Sequence, residues 1–401
     1  MTTQSQTGEA LEPTPAFNES VAHQKCDVLV VASEDIWPPR QGGQVRVAGI
    51  VGALSQNFRV AVAVPNASAD ERPVPVYSLA VATKRSSSMR GFVSSRPRIG
   101  RVGLGAFARA RLHEAVTDLQ PRAVLFTHSY LAAMSPSLGV PIVVDFANIE
   151  RERLKSFRSR GRLRNRLSAT LEAAKASRWE PRVALNADFC LALTQRDRAT
   201  LEDWGATATY VPNGVVTSRE ATNSLESGHV LFLASADYAP NRDAGHWLIF
   251  SVWPLVRQAI PSARLVVAGR RSDDVFRDAI GIPSIEVLGE VPDVAPLFEG
   301  AALVAAPITS GGGQQLKVID ALSFLRVVVA SPFSARSVPN GLESLCRTAS
   351  GADEYAKALV ELLTEPSDRW SREDLARDAV ARMPTWLAAT KPLTDWLRKL
   401  S

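Results

Sequence analysis

Short apolar runs of strand length recur along this chain, each followed by a loop and enough residues for a helix to cross back. This alternation constrains the fold more than any other feature of the sequence. Residues 26–32, 59–64, 123–127, 141–145 and 188–194 form one such series, and residues 229–235, 263–268, 285–288, 301–306 and 327–330 form a second. Strands buried on both faces read as continuous apolar runs, and strands alternating with helices build parallel sheets. Helical periodicity falls in between, over 44–54, 245–259, 352–363 and 372–382. The polar stretch 217–228, rich in Ser, Thr, Asn and Glu, interrupts the series and reads as a linker. The sequence therefore predicts two doubly wound, Rossmann-like α/β domains: residues 25–216 behind a disordered tail of 1–24, and residues 229–383. A terminal segment, 384–401, carries Trp386 and Trp396. Ligands of such folds gather at the carboxyl ends of strands and in clefts between domains.

With 401 residues, of which 46% are hydrophobic, the chain can bury two such cores. No apolar run reaches the roughly 18 residues needed to cross a bilayer, and the first 24 residues lack a signal-peptide core, so a cytoplasmic protein is expected. Cys26, Cys190 and Cys346 lie far apart in apolar contexts, which predicts buried thiols. The five histidines are scattered, and no Cys/His group has metal-ligand spacing, so no metal site is expected. The net charge of +5 conceals an asymmetry, because residues 1–200 carry 27 Lys/Arg against 17 Asp/Glu while the remainder is acidic. Eight cations crowd the stretch Arg151 to Arg166. A solvated helical face is the ordinary explanation for such a run, and the functional ones are peripheral contact with an anionic membrane at the inner face and attraction of a phosphorylated acceptor. Nucleic acid is not expected as a partner, since aromatic residues are sparse there and no nucleic-acid motif accompanies them.

The chemistry concentrates in one stretch. Residues 301–307 form an apolar strand, Gly311-Gly312-Gly313 a flexible loop, and Leu316, Ile319 and Leu322 the first positions of an amphipathic helix. Strand, glycine loop and helix mouth together make an anion site, with close backbone approach at the glycines and unpaired N–H groups at the helix start. Lys317 adds a full positive charge, and Asp320 offers a carboxylate to sugar or ribose hydroxyls. The plainer alternative for this pair is a surface ion pair at helical spacing. In the first domain, Gly42-Gly43 follows the first strand, and His128 and Asp145 stand at strand ends. For His128 a satisfied core or rim histidine is the competing reading, and for Asp145 a turn cap.

In order along the chain, Gly42-Gly43, His128, Asp145 to Asn148 with Glu150, Tyr210-Val-Pro-Asn213-Gly214, Ser235-Ala-Asp237-Tyr238-Ala-Pro240-Asn241, Gly269-Arg270, Gly289 to Asp293 and the glycine loop with Lys317 and Asp320 resemble the retaining glycosyltransferases of family 4. The likeness is to the bacterial branch with a Gly-Gly-Gly loop followed by Leu-Lys, and it runs from about Cys26 to Trp396. The resemblance implies the GT-B fold and transfer of a sugar, hexosyl in type, from a nucleotide-diphosphate donor to a glycan, lipid-linked or small-molecule acceptor with retention, as in polysaccharide biosynthesis. The nucleotide sugar is then a co-substrate, and neither cofactor nor metal is implied. Donor contacts would come from Gly42, Gly43, Asp237, Tyr238, Asn241, Arg270, Val291, Asp293, Gly311, Gly312, Gly313, Lys317 and Asp320. Catalysis would involve His128, Lys317 and Asp320, and the acceptor would meet Asp145, Asn148 and Glu150. The resemblance also implies that the segment 384–401 is a helix returning to the first domain, the alternative being that Trp386 and Trp396 complete the second core.

Several positions depart from the family. Its two glutamates eight residues apart become Gly312 and Asp320, its basic pair falls on Ala236 and about Asn241, and Ala147 stands where a histidine is common. Lys317 is expected to replace the lost charge. A catalytically weakened member serving as a nucleotide-sugar sensor or scaffold is the alternative these departures raise. A dinucleotide oxidoreductase is disfavoured, because no Gly-x-Gly-x-x-Gly turn follows the first strand.

Overall fold

The structure, a computed structural model, describes residues 25–39, 42–66, 72–79, 97, 106–132, 138–156, 163–215, 223–226, 228–311 and 314–400. The first domain is built on β1 (Val28–Val31), β2 (Val60–Val64), β3 (Val76–Ser78), β4 (Ala123–Phe126), β5 (Ile142–Phe146), β6 (Phe189–Ala192) and β7 (Ala208–Tyr210). They form one seven-stranded sheet in the order β3-β2-β1-β4-β5-β6-β7, parallel throughout. The second domain holds β8 (His229–Leu233), β9 (Leu265–Ala268), β10 (Ile285–Gly289), β11 (Ala301–Ala306), β12 (Val328–Ala330) and β13 (Cys346–Thr348). Its six strands run β10-β9-β8-β11-β12-β13, again all parallel.

In each sheet the winding reverses once, between β1 and β4 and between β8 and β11. Crevices open where successive connections leave to opposite faces, so these two points mark the ligand sites of the fold.

Three edge strands, β3, β7 and β13, were not expected, since three residues each give no apolar run to read. Two helices begin earlier than periodicity suggests. Ala239–Trp247 has Pro240 in its first turn, and Pro366–Ala381 starts on Pro366, a position where the missing N–H has no intrahelical acceptor to lose. The first of these continues through a π-helical turn, Leu248–Val252, into Trp253–Ala259, and the Trp253 N–H reaches back five residues to Leu248 O. That widened turn accommodates Pro254, whose ring would clash in a regular α-helix.

The terminal helix, Trp386–Arg398, leaves the second domain and packs on the first. Leu393 and Leu397 are buried in the core beneath β1 and β2, and Trp396 stacks on Phe189 with ring centroids 5.0 Å apart. The close approach to helix Gly42–Leu54 depends on Gly49, where a Cβ would lie 2.3 Å from the Trp386 ring. Cys26 and Cys190 are buried, Cys346 is half-buried, and all three thiols are free.

Candidate active site

Both reversal points open onto one interdomain cleft of about 970 Å³. From the first domain come Gly42 and Gly43, after β1, and His128, after β4. From the second come Ser235, Tyr238 and Asn241 after β8, and Gln315, Lys317 and Asp320 after β11. Arg270 follows β9, and Val291 and Asp293 follow β10.

The helix Leu316–Ser323 carries the charged pair. Gln315 is the residue before its first turn. Gly312 and Gly313 lie outside the described residues. Gly311 takes a φ of +134°, and a Cβ there would come within 2.9 Å of Tyr238 Oη, so glycine is required on both counts. It stands at a neighbouring cavity, away from the main cleft.

Lys317 and Asp320 form no ion pair with each other among the described residues. Lys317 Nζ donates to Asn241 Oδ1 at 2.9 Å and lies 5.9 Å from the centre of the Phe232 ring. Burial lowers its pKa to about 7, and burial raises that of Asp320 to about 7. The first-turn amides of Leu316 and Lys317 have no intrahelical acceptor. One helix end therefore presents N–H groups, an ammonium and a carboxylate to the cleft.

Opposite them, helix Gly42–Leu54 begins with its two glycines at the cleft. A Cβ on Gly42 would approach Leu316 Cδ1 to 3.1 Å, whereas one on Gly43 would meet nothing within 4 Å. Close backbone approach to a ligand is thus available at Gly43. His128 is held by Thr127 Oγ1, 3.1 Å from its Nδ1, and its ring lies against Tyr130 with centroids 4.8 Å apart. Burial outweighs the nearby Asp145 and drives its pKa down to about 4, so the imidazole is neutral at physiological pH and acts as a hydrogen-bonding group.

Two of the three residues expected at the acceptor do not face the cleft. Asp145 is buried and held bidentately by Arg46, with Nε 2.8 Å from Oδ2 and Nη2 2.7 Å from Oδ1. Arg46 also donates to Val211 O at 3.0 Å and Asn213 Oδ1 at 3.2 Å. This buried network ties β5 to the helix that opens on Gly42-Gly43. Glu150 is buried and engaged with Arg153 at 2.6 Å. Asn148 alone of the three lines the cleft, and its buried Oδ1 has no hydrogen-bond partner among the described residues.

On the donor side, Asp237 stands back from the cleft in ion pairs with Arg270 and, at 3.3 Å, Arg271. Arg242, the remaining cation near the family's basic pair, donates to the carbonyls of Ala236 and Asp237 at 3.1 and 2.8 Å. Asp293 lines the cleft but also accepts the Ala295 amide at 2.9 Å, a helix-start contact.

Sequence reasoning missed Arg46 and Gln314, and it took Asn213 only as part of the Tyr210 to Gly214 junction, with no role at the cleft. Asn213 Nδ2 donates to Gln314 Oε1 at 3.2 Å, joining the two domains at the cleft, and Gln314 lines the wall. The signal for Arg46 was present, a lone cation inside the apolar run Val45 to Ile50, one turn after the glycines. Arg151 and Lys155 of the basic run share Glu152 with Arg196 of the helix Gln195–Asp203, and Arg151 stacks on Trp204 at 4.9 Å, so part of the run's charge is spent internally. Residues 157–162 of that run lie outside the described residues. Among the described residues, no helix is long and apolar enough to cross a membrane, and no group of three or more His, Cys, Asp or Glu could hold a metal.

Residues 227–365, most of the second domain, match the family profile described as "Glycosyl transferases group 1". Among curated protein sequences none matches the chain. The solved structure of WaaG, described as a glycosyltransferase involved in lipopolysaccharide biosynthesis, is similar over 93% of this chain and 100% of its own, with a TM-score of 0.64 at 13% identity. HepE of Anabaena in complex with UDP-glucose is similar over 93% and 99%, with a TM-score of 0.65 at 12% identity. OtsA, a trehalose-6-phosphate synthase, covers 93% and 99%, with a TM-score of 0.60 at 13% identity. The fold is therefore GT-B: two parallel-sheet, Rossmann-like domains facing each other across a cleft. Within it, the second domain carries the glycosyl transferases group 1 match.

Proposed function

We propose that this protein transfers a sugar from a nucleotide-diphosphate donor, held mainly by the second domain, to an acceptor entering from the first, with retention at the anomeric carbon. The observation that carries this reading is the pairing of Lys317 and Asp320 on one helix end at the cleft, facing Gly43 across it. A leaving diphosphate gathers charge as the glycosidic bond breaks, and preorganised N–H groups with an ammonium stabilise it without reorganising. Lys317 is the natural counter-charge once its Asn241 contact is exchanged for phosphate oxygen. Asp320 suits ribose hydroxyls, and the backbone at Val291 to Asp293 suits the base. Neutral His128 suits a sugar hydroxyl. The diphosphate's charge is met here by the chain's own groups, so activity in the presence of EDTA should be unchanged; its loss would show that an ion is needed.

Binding of UDP, GDP, ADP and TDP and their common sugar conjugates, measured beside Lys317→Ala and Asp320→Ala, tests the reading. One base should stand out, and both substitutions should weaken it. Undiminished binding by both variants would remove the site. A specific feature favours a second reading: glycine occupies position 312, where the family carries a carboxylate. A sensor of nucleotide sugars would bind donor and release no nucleoside diphosphate, so a turnover assay separates the two.

A further inference from the structure

Beside the donor cleft lies a second cavity of about 660 Å³, and Gln314 lines both. Its walls come from both domains, with Arg153, Lys155 and Arg196 on one side and Phe333, Arg336 and Ser337 on the other. The charges around it do not balance. Of its two carboxylates, Asp197 is turned inward as part of a helix cap: its Oδ2 accepts from Thr194 Oγ1 at 2.7 Å, and its own amide donates to that hydroxyl at 3.0 Å. Glu152, the other, faces three cations at once, with Lys155 at 2.9 Å, Arg151 at 3.3 Å and Arg196 at 3.8 Å.

Across the cavity, Arg336 has no carboxylate within ion-pair distance among the described residues. Its guanidinium lies over the Phe333 ring, 5.7 Å from the centre. That ring orients the arginine without neutralising it. Cations of two domains therefore border one concave space whose carboxylates are already engaged, with Lys155, Arg196 and Arg336 exposed at its rim and open to a ligand. Arginine and lysine approaching from opposite walls match the oxygens of a phosphate, which accepts from several directions.

We propose that this cavity is a phosphate subsite and, resting on the transferase reading above, that it holds the phosphate of a phosphorylated acceptor whose hydroxyl end passes Gln314 into the donor cleft. Lys155, Arg196 and Arg336 are its specificity-determining residues.

Because the donor cleft also attracts phosphate, the test begins in a Lys317→Met background and titrates the full-length protein with inorganic phosphate by calorimetry. Binding should persist there and weaken at least tenfold when Lys155→Gln and Arg336→Gln are added. Equal binding with and without those two substitutions, or loss of all phosphate binding in Lys317→Met alone, overturns the proposal. Competition then names the source: displacement of phosphate by a soluble hexose phosphate indicates a small acceptor, and displacement only by phosphatidate-containing vesicles indicates a lipid-borne one. If nucleotides fail to bind while this phosphate site survives, the transferase reading falls and the subsite stands.

Discussion

Among the described residues the ammonium of Lys317 has a single hydrogen-bond acceptor, Asn241 Oδ1, and burial leaves it half-protonated near pH 7. A diphosphate would bind the charged form, so above pH 7 binding must draw a proton from solution. Asp320, with its pKa near 7, is already ionised at pH 8 and adds no opposing term there. Donor binding at pH 8 should therefore take up close to one proton, read as a difference in calorimetric enthalpy between Tris and HEPES, and affinity should fall as pH rises further. Lys317→Met should abolish the uptake, and an identical enthalpy in both buffers would show that Lys317 is not the counter-charge. The Arg46–Asp145 pair makes the contrasting residue-level case. Removing one partner of a buried ion pair strands the other, so Arg46→Met should cost about 3–5 kcal/mol of stability in urea unfolding. Asp145→Asn added to it should recover part of that loss, because the stranded charge is gone.

Helix Gly42–Leu54 shows how much of an element a sequence can disclose. Its position after β1 was legible, because it follows from local pattern, although the two glycines read as loop and the helix as starting at Gln44. Arg46's partners were not, since Asp145 lies 99 residues away and Asn213 167. The same limit explains why Asp145, and Glu150 through the resemblance alone, read as acceptor ligands: in sequence a carboxylate looks alike whether it faces a cleft or an arginine. Lys317 and Asp320 were legible because their chemistry sits on one turn of one helix, and β3, β7 and β13 were not because an edge strand of three residues has no apolar run. Two glycines of this helix now give opposite predictions. At Gly52 an added Cβ meets nothing within 4 Å, so Gly52→Ala should stabilise by roughly 0.5–1 kcal/mol through helix propensity. At Gly49 the Trp386 ring lies 2.3 Å from that Cβ, and Gly49→Ala should destabilise by about 1–3 kcal/mol despite the same propensity gain. Thermal unfolding of the two variants measures both signs, and a stabilised Gly49→Ala would mean that the terminal helix is not seated as described.

At the scale of the molecule, the chain crosses between domains twice, and the second crossing makes the domains unequal. The terminal helix follows the second domain in sequence yet completes the core of the first, with Leu393 and Leu397 buried there and Trp396 on Phe189. Each buried leucine contributes roughly 1.5–3 kcal/mol, so the helix supplies a large share of the 5–15 kcal/mol by which a typical domain is stable. Deleting residues 384–401 should thus unfold the domain that lies farther away in sequence and spare its neighbour. Hydrogen exchange distinguishes the cases. Amides of β1, β2 and β6 should lose protection in the truncated protein, while those of β8 and β11, whose core is formed by other residues, should keep theirs. Loss of protection in both sheets together would mean that the interdomain contacts at Asn213 and Gln314 couple the domains into one folding unit, and retained protection in both would mean that the helix adds little to the core it covers. Because the same helix lies against the one that opens on Gly42-Gly43, the expected outcome also predicts that the truncated protein loses the first-domain wall of the cleft while the helix bearing Lys317 and Asp320 stays folded.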